Sequence, residues 1–94
     1  KALIIITGQG EVNTADAQSF ISYAVSGATT IAADDANSLV FTSATTQDPY
    51  RAAVVHHETL TAGSNTVTVK YKSDGGGSVS FRDRWLLLLR YANI

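Results

Sequence analysis

The chain has no cysteine and no methionine, and only 16% of its residues are charged. Without cysteine, neither a disulfide nor a thiolate metal site can form. With so few charges and a formal net charge of −1, the chain exerts no long-range pull on nucleic acid or on an anionic membrane. Long hydrophobic runs are also missing. The longest, Ala2–Ile6 and Trp85–Leu89, are far too short to span a bilayer, so no membrane insertion is expected. The lack of methionine and the lysine at position 1 lead us to expect a removed start residue or a longer N-terminal part.

What is present is ordinary in amount and distinctive in pattern. Ninety-four residues correspond to one domain, 1–94, large enough for a core but not generously stabilised. Hydrophobic residues make up 45%, and serine and threonine supply much of the remaining polar surface. Short β-favouring runs are separated by turn residues. Ala2–Thr7 is β-branched, apolar on both faces, and expected to stop at Gly8-Gln9-Gly10. Ala28–Ala32, Ser38–Thr42, Arg51–Leu60 and Thr66–Lys72 read as further strands. Asp34–Asn37 reads as a turn in which Asp and Asn bond their own backbone, and Asp48-Pro49 marks another inside the polar loop 43–49. Gly63 is the expected positive-φ residue of the turn Thr61–Ser64. In Thr66–Lys72 the alternation places Val67, Val69 and Tyr71 inward. Asp74–Gly77 reads as a hairpin connection to Ser78–Phe81, where Val79 and Phe81 continue the inward face. Arg82-Asp83-Arg84 interrupts the pattern and predicts a bulge or sharp bend.

Residues 13–27 fit two templates. Ala17, Phe20, Ile21 and Ala24 fall on one helical face, with Asn13 or Thr14 as cap and Gly27 as stop. As a strand, Ile21, Tyr23 and Val25 share a face. The Ser/Thr/Val-rich surroundings favour the strand. The sum is an all-β chain of about eight short strands at 8–12-residue spacing, the pattern of an antiparallel β-sandwich or barrel. The final run, Trp85–Leu89, is apolar on both faces and needs cover on both.

The stretch from Leu60 to Tyr91 carries a resemblance. Leu60 with Ala62-Gly63-Ser64-Asn65-Thr66, the alternating strand to Tyr71, the glycine turn, Ser80-Phe81 with Arg84, and the closing apolar strand resemble small jelly-roll domains of tailed-bacteriophage virion proteins. These are head-decoration and head-fibre proteins and tail-fibre tips. The resemblance covers about the last 40 residues; the first half matches only in style. It implies a non-enzymatic structural or adhesive protein on the phage particle, a homotrimer about a three-fold axis. Its expected partners are further copies of itself and other virion proteins, such as the major capsid protein or a fibre. An alternative is a receptor- or glycan-binding tip that contacts host surface polysaccharide.

Candidate sites are few. His56 and His57 are adjacent on a strand and point to opposite faces, so they cannot chelate one ion together. His56 and Glu58 share a face, but two ligands make a weak site. A three-fold axis would instead bring three His56 imidazoles together. The plainer expectation for His56 is a ring packed at the core edge or a subunit contact, where it would charge below about pH 6.5 and make assembly acid-sensitive. Leu3, Ile5, His56, Arg82, Arg84, Leu86 and Leu88 are the residues expected at an oligomer interface. The arginines would pair charges across the boundary, or else form a solvated bend with a weak local ion pair. Asp34, Asp35 and Asn37 could offer oxygens to calcium but lack the ligand count of a dedicated loop; with Tyr50 they form a candidate ligand loop. Of the other aromatics, Tyr71 and Trp85 are expected on core-facing registers. Gly75–Gly77 lacks the lysine and helix of a phosphate loop. Gly8-Gln9-Gly10 has Asn13 where a dinucleotide fingerprint needs its third glycine. No nucleophile setting is recognisable, so neither an enzyme nor a resident cofactor or metal is expected.

Overall fold

The computed structural model describes residues 1–12, 17–42, 50–74 and 79–91. Within these it is an antiparallel β-sandwich, as the sequence pattern predicts. It has six strands rather than eight: β1 (Ala2–Val12), β2 (Gln18–Gly27), β3 (Leu39–Thr42), β4 (Tyr50–Glu58), β5 (Asn65–Asp74) and β6 (Val79–Arg90). One sheet has the order β4-β1-β6 and the other β3-β2-β5. The long axis of the 45 × 20 × 18 Å molecule is set by strands of up to 12 residues, each residue adding roughly 3.3 Å.

β1 is the central strand of its sheet and strictly alternates. Ala2, Ile4, Ile6, Gly8, Gly10 and Val12 are buried, while Leu3, Ile5, Thr7, Gln9 and Glu11 face the other way. Gly8 and Gly10 do not end the strand as expected. They are interior positions that let the opposite sheet approach. A β-carbon on Gly10 would sit 2.3 Å from the Phe41 ring, and one on Gly8 would sit 3.1 Å from Ile21 Cδ1. Residues 18–27 are strand, as the surrounding composition favours. Ile21, Tyr23 and Val25 of β2 meet Ile4 and Ile6 of β1 and Leu39 and Phe41 of β3 in one buried cluster, with Val54, Val67, Val69, Phe81 and Leu86 packed against it. At about 25 cal/mol per Å² of apolar surface buried, this cluster is the main force holding the sheets together.

Two further expectations are corrected, and two turns are as expected. Ala28–Ala32 is not a strand; only Ile31 pairs, through a single bridge to Val25. The segment after β2 is instead held by side chains: Asn65 Oδ1 accepts from Thr29 N at 2.8 Å, and Thr29 Oγ1 accepts from Thr61 N at 2.8 Å. Asp74–Gly77 does not join a hairpin, because β5 and β6 belong to different sheets; residues 75–78 themselves lie outside the described residues, as does the loop 43–49. Asp34–Asn37 is a turn of 3-10 helix, Asp35–Asn37, capped by Asp34. Gly63 does adopt positive φ, at 124°.

The predicted interruption at Arg82-Asp83-Arg84 is a bulge. The β1–β6 register shifts between Thr7 and Gln9, with Thr7 opposite Trp85 and Gln9 opposite Arg82. Asp83 takes a φ of +53°. One extra residue inverts the parity of everything after it. Phe81, an odd position, faces the core. Beyond the bulge the odd positions face out. Trp85 is therefore 73% exposed rather than in the core. Tyr71 is also not buried. It faces inward on β5 but is 44% exposed, because the sandwich opens along its β5/β6 flank; Phe81, at 5.1 Å between ring centroids, and the Arg84 guanidinium, at 5.3 Å, lie against it.

Candidate functional site

The parity switch builds a surface. On the outer face of the β4-β1-β6 sheet, three rows of side chains run across the strands. Leu3 lies between His57 and Leu89, Ile5 between Val55 and Leu87, and Thr7 between Ala53 and Trp85. None of the nine carries a permanent charge. Val55 is 53%, Leu87 51% and Leu89 46% exposed, while Leu3 and Ile5, flanked on both sides, are half-buried. With side-chain areas near ~200 Å², these residues and Trp85 present roughly 500 Å² of apolar surface. That is near the top of the ~300–600 Å² range for the largest patch on a monomer, where such patches are often functional. Trp85 projects from a row whose other members, Thr7 and Ala53, are small.

Polar groups frame it. At one end Arg51 spans the sheet, donating from Nε to Gln9 Oε1 at 3.0 Å and from Nη2 to Asp83 Oδ2 at 2.8 Å. At the other end Tyr91 Oη and His57 Nδ1 are hydrogen-bonded at 2.6 Å. The bulge thus has a partner for its acidic residue within the same chain, and Arg84 lies over Tyr71.

The residues expected at an interface are divided by the structure. Leu3 and Ile5 lie on the outer face. Leu86 and Leu88 pair with Ile6 and Ile4 and so point to the inner side; Leu86 packs on the core, but Leu88 is 48% exposed at the open flank. His56 pairs with Ile4 and also points inward. Its ring lies 5.9 Å from that of Tyr23, the core-edge setting, and among the described residues its buried Nε2 has no hydrogen-bond partner. Tyr23 Oη donates to Glu58 Oε1. Burial first, then the Glu58 carboxylate, holds the Tyr23 phenol well above its usual pKa. Arg82 is exposed beside the bulge. The sequence marks Trp85–Leu89 as apolar on both faces but places Leu86 and Leu88, not Trp85, Leu87 and Leu89, at the contact, and it does not mark Val55. The signal for which residues face out is the bulge, whose extra residue inverts the parity of the strand after it.

The structure splits the candidate ligand loop: Asp34, Asp35 and Asn37 lie beside β2 of the other sheet, whereas Tyr50 begins β4 of the first. Asp34 is occupied structurally: Oδ1 accepts from Ala36 N at 2.9 Å, and its carbonyl accepts from Ser22 Oγ at 3.1 Å and Ser38 Oγ at 3.0 Å. Asp35 pairs with Lys72 at 2.6 Å, and that hydrogen bond raises the Lys72 pKa. Lys72 also lies 4.7 Å over the Phe20 ring. A groove of about 390 Å³ runs beside these residues and Lys70. Asn37 closes the turn by donating its N–H to Asp34 O at 3.0 Å. Of Tyr50 only the backbone, paired with Gly10, is described. Among the described residues no three His, Asp or Glu side chains converge on a common point. A second cleft, of about 610 Å³, lies at the end of the sandwich between Lys1, Thr61, Asn65, Arg90 and Tyr91.

Compared with known proteins, the chain matches no protein-family model, no curated protein and no solved structure.

Proposed function

We propose that this chain is a non-enzymatic structural module that associates with copies of itself through the outer face of the β4-β1-β6 sheet, in the setting its C-terminal segment resembles, a tailed-bacteriophage particle. The observation that carries self-association is the uncharged face formed by Leu3, Ile5, Val55, Trp85, Leu87 and Leu89. Leaving that much apolar area in water is costly, and covering it releases on the order of 25 cal/mol per Å². An uncharged patch also meets its own copy with no like charges opposed, as any symmetric contact requires. The virion setting rests on the resemblance of Leu60–Tyr91 alone, and so does the trimer that the resemblance implies.

Light scattering on the eluting protein tests the reading. Self-association gives a mass that is a multiple of 10.0 kDa, and Leu87→Asp reduces it to the monomer. A wild-type monomer at high micromolar concentration removes the proposal. A second reading, a glycan-binding tip, is favoured by the groove beside Asp34, Asp35, Lys70 and Lys72. Saturable binding of host surface polysaccharide that is lost in Asp35→Ala would support it.

A further inference from the structure

The outer face accounts for only one side of β6. Among the described residues this strand has a hydrogen-bonded neighbour, β1, on one edge only. Trp85, Leu87 and Leu89 project outward. Leu88 projects to the opposite side and, at 48%, is as exposed as Leu87 and Leu89. A partner laid flat on the outer face covers the first three and leaves Leu88 in water. A strand added along the free edge flanks both rows at once and also satisfies the edge N–H and C=O groups.

We propose that two copies of this chain pair their β6 strands antiparallel about a two-fold axis centred on Leu88, joining two three-stranded sheets into one of six strands. This rests on the reading of the chain as a self-associating module but moves the contact from the outer face itself to the β6 edge that borders it. Charge placement selects the edge. Outside Trp85–Leu89, β6 is bounded by Arg82, the Asp83 bulge and Arg84 on one side and by Arg90 on the other, whereas the window between them has neither charge nor proline. The edge of β5 carries Lys70, Lys72 and Asp74, and β3 is only four residues long; charged or short edges resist pairing. The β4 edge has an uncharged window too, Ala52–His57, but its inward residues Ala52, Val54 and His56 are partly buried, so only β6 exposes large apolar side chains on both sides.

The register follows from the same charges and from where β6 ends: an axis on Leu89 opposes no arginines but leaves only Leu88 and Arg90 to pair beside it within the strand, which ends at Arg90. In a two-fold antiparallel ladder, opposed residues must share a face, so the axis falls on a residue. Centred on Leu87, the ladder sets Arg84 against Arg90 of the second copy, and like charges directly opposed are unfavourable. Centred on Leu86, it sets Arg82 against Arg90 and draws the bulge into the ladder. Centred on Leu88, Leu87 meets Leu89, Leu86 meets Arg90 and Trp85 meets Tyr91, with the bulge left outside. The four exposed side chains from Trp85 to Leu89 present roughly 450 Å² per chain, so a pair buries on the order of 1,000 Å² once backbone and rim are included, the lower limit of a specific interface.

The lack of cysteine makes the test clean. At the axis, the two copies of residue 88 have α-carbons about 4.5–5.5 Å apart, within disulfide reach; residues 86 and 87 are displaced along the strand beyond the ~7 Å limit. Leu88→Cys, Leu87→Cys and Leu86→Cys are each oxidised mildly at micromolar concentration, alongside light scattering of the unmodified chain. The expected result is a mass of twice 10.0 kDa and a covalent dimer from Leu88→Cys alone. Crosslinking chiefly through residue 87 or 86, or equally through all three, overturns the pairing. A three-fold mass without crosslinking at residue 88 also overturns it while leaving self-association standing. A monomer throughout overturns both.

Discussion

Gly10 of β1 and Phe41 of β3 compete for the same space. A β-carbon on Gly10 would fall 2.3 Å from Phe41 Cγ and 2.8 Å or less from both Cδ atoms, and Phe41 is 1% exposed. The ring is also held at 6.4 Å from Phe81, so it cannot swing aside freely. The close approach of the sheets at this end depends on the missing methyl group.

Gly10→Ala is therefore expected to destabilise the fold by about 1–3 kcal/mol, the cost of overpacking a filled core. In a domain of this size each kcal/mol lowers Tm by roughly 4–8 °C. Combining it with Phe41→Leu should recover part of the loss, because the two changes act on one volume and are not additive. Urea denaturation of the two single variants and the double variant measures this directly; strict additivity would disprove the steric account.

Tyr23 predicts a loss of stability in alkali. Its phenol, raised by burial and by the Glu58 carboxylate, holds its proton in the folded chain at pH values where the unfolded chain, with a tyrosine pKa near 10, has released it. Between those two values the unfolded state binds fewer protons, so stability falls as pH rises. The contribution is complete below about pH 10 and is lost above it, with a slope approaching ~1.4 kcal/mol per pH unit from this one group. Tyr23→Phe removes that slope. It also leaves Glu58 without its donor, at a cost of about 1–3 kcal/mol near neutral pH. Denaturant midpoints from pH 8 to 12 for both proteins provide the check.

Asp34 and Asp35 are adjacent but do different jobs, so their substitutions should separate. Asp34→Ala removes a cap and loosens the turn over Ser22, which should cost about 0.5–2 kcal/mol. Asp35→Asn affects an exposed pair with Lys72 and should leave stability unchanged within about 0.5 kcal/mol. If the turn were instead a calcium loop, both changes would abolish a calcium-dependent rise in Tm. Thermal melts with and without calcium distinguish the two.

The sequence pattern was readable where local chemistry decides the structure. Alternating Val67, Val69 and Tyr71, the left-handed Gly63, the carboxylate-capped turn at Asp34 and the break at Asp83 all follow from near neighbours. It was misread where the deciding contact is distant. Gly8 and Gly10 look like a stop until Ile21 and Phe41 are known to lie above them. Glu58 and His56 share a face, as alternation dictates, but their partner Tyr23 comes from the other sheet. That β5 and β6 belong to opposite sheets is not written in the glycines between them. Trp85 is the instructive case: the bulge was legible, and one residue of parity separates a buried tryptophan from an exposed one.

Trp85 is also the single tryptophan, which makes it a reporter for the proposed assembly. Within one chain its indole is 73% exposed. Proximity to a second copy, on the face or along the β6 edge, moves it into an apolar environment. Its emission should therefore shift to shorter wavelength as protein concentration rises, with the same midpoint as the change in mass. Leu87→Asp should hold the emission at the solvent-exposed limit at every concentration while leaving the far-ultraviolet circular dichroism unchanged, since Leu87 is half in water already. Trp85→Ala should weaken association by more than any other single truncation on this face, because buried aromatic anchors carry a disproportionate share of interface energy, ~2 kcal/mol or more each. If emission stays fixed while the mass rises, the copies meet through a different surface, and the apolar rows on β4, β1 and β6 must be covered by something other than this chain.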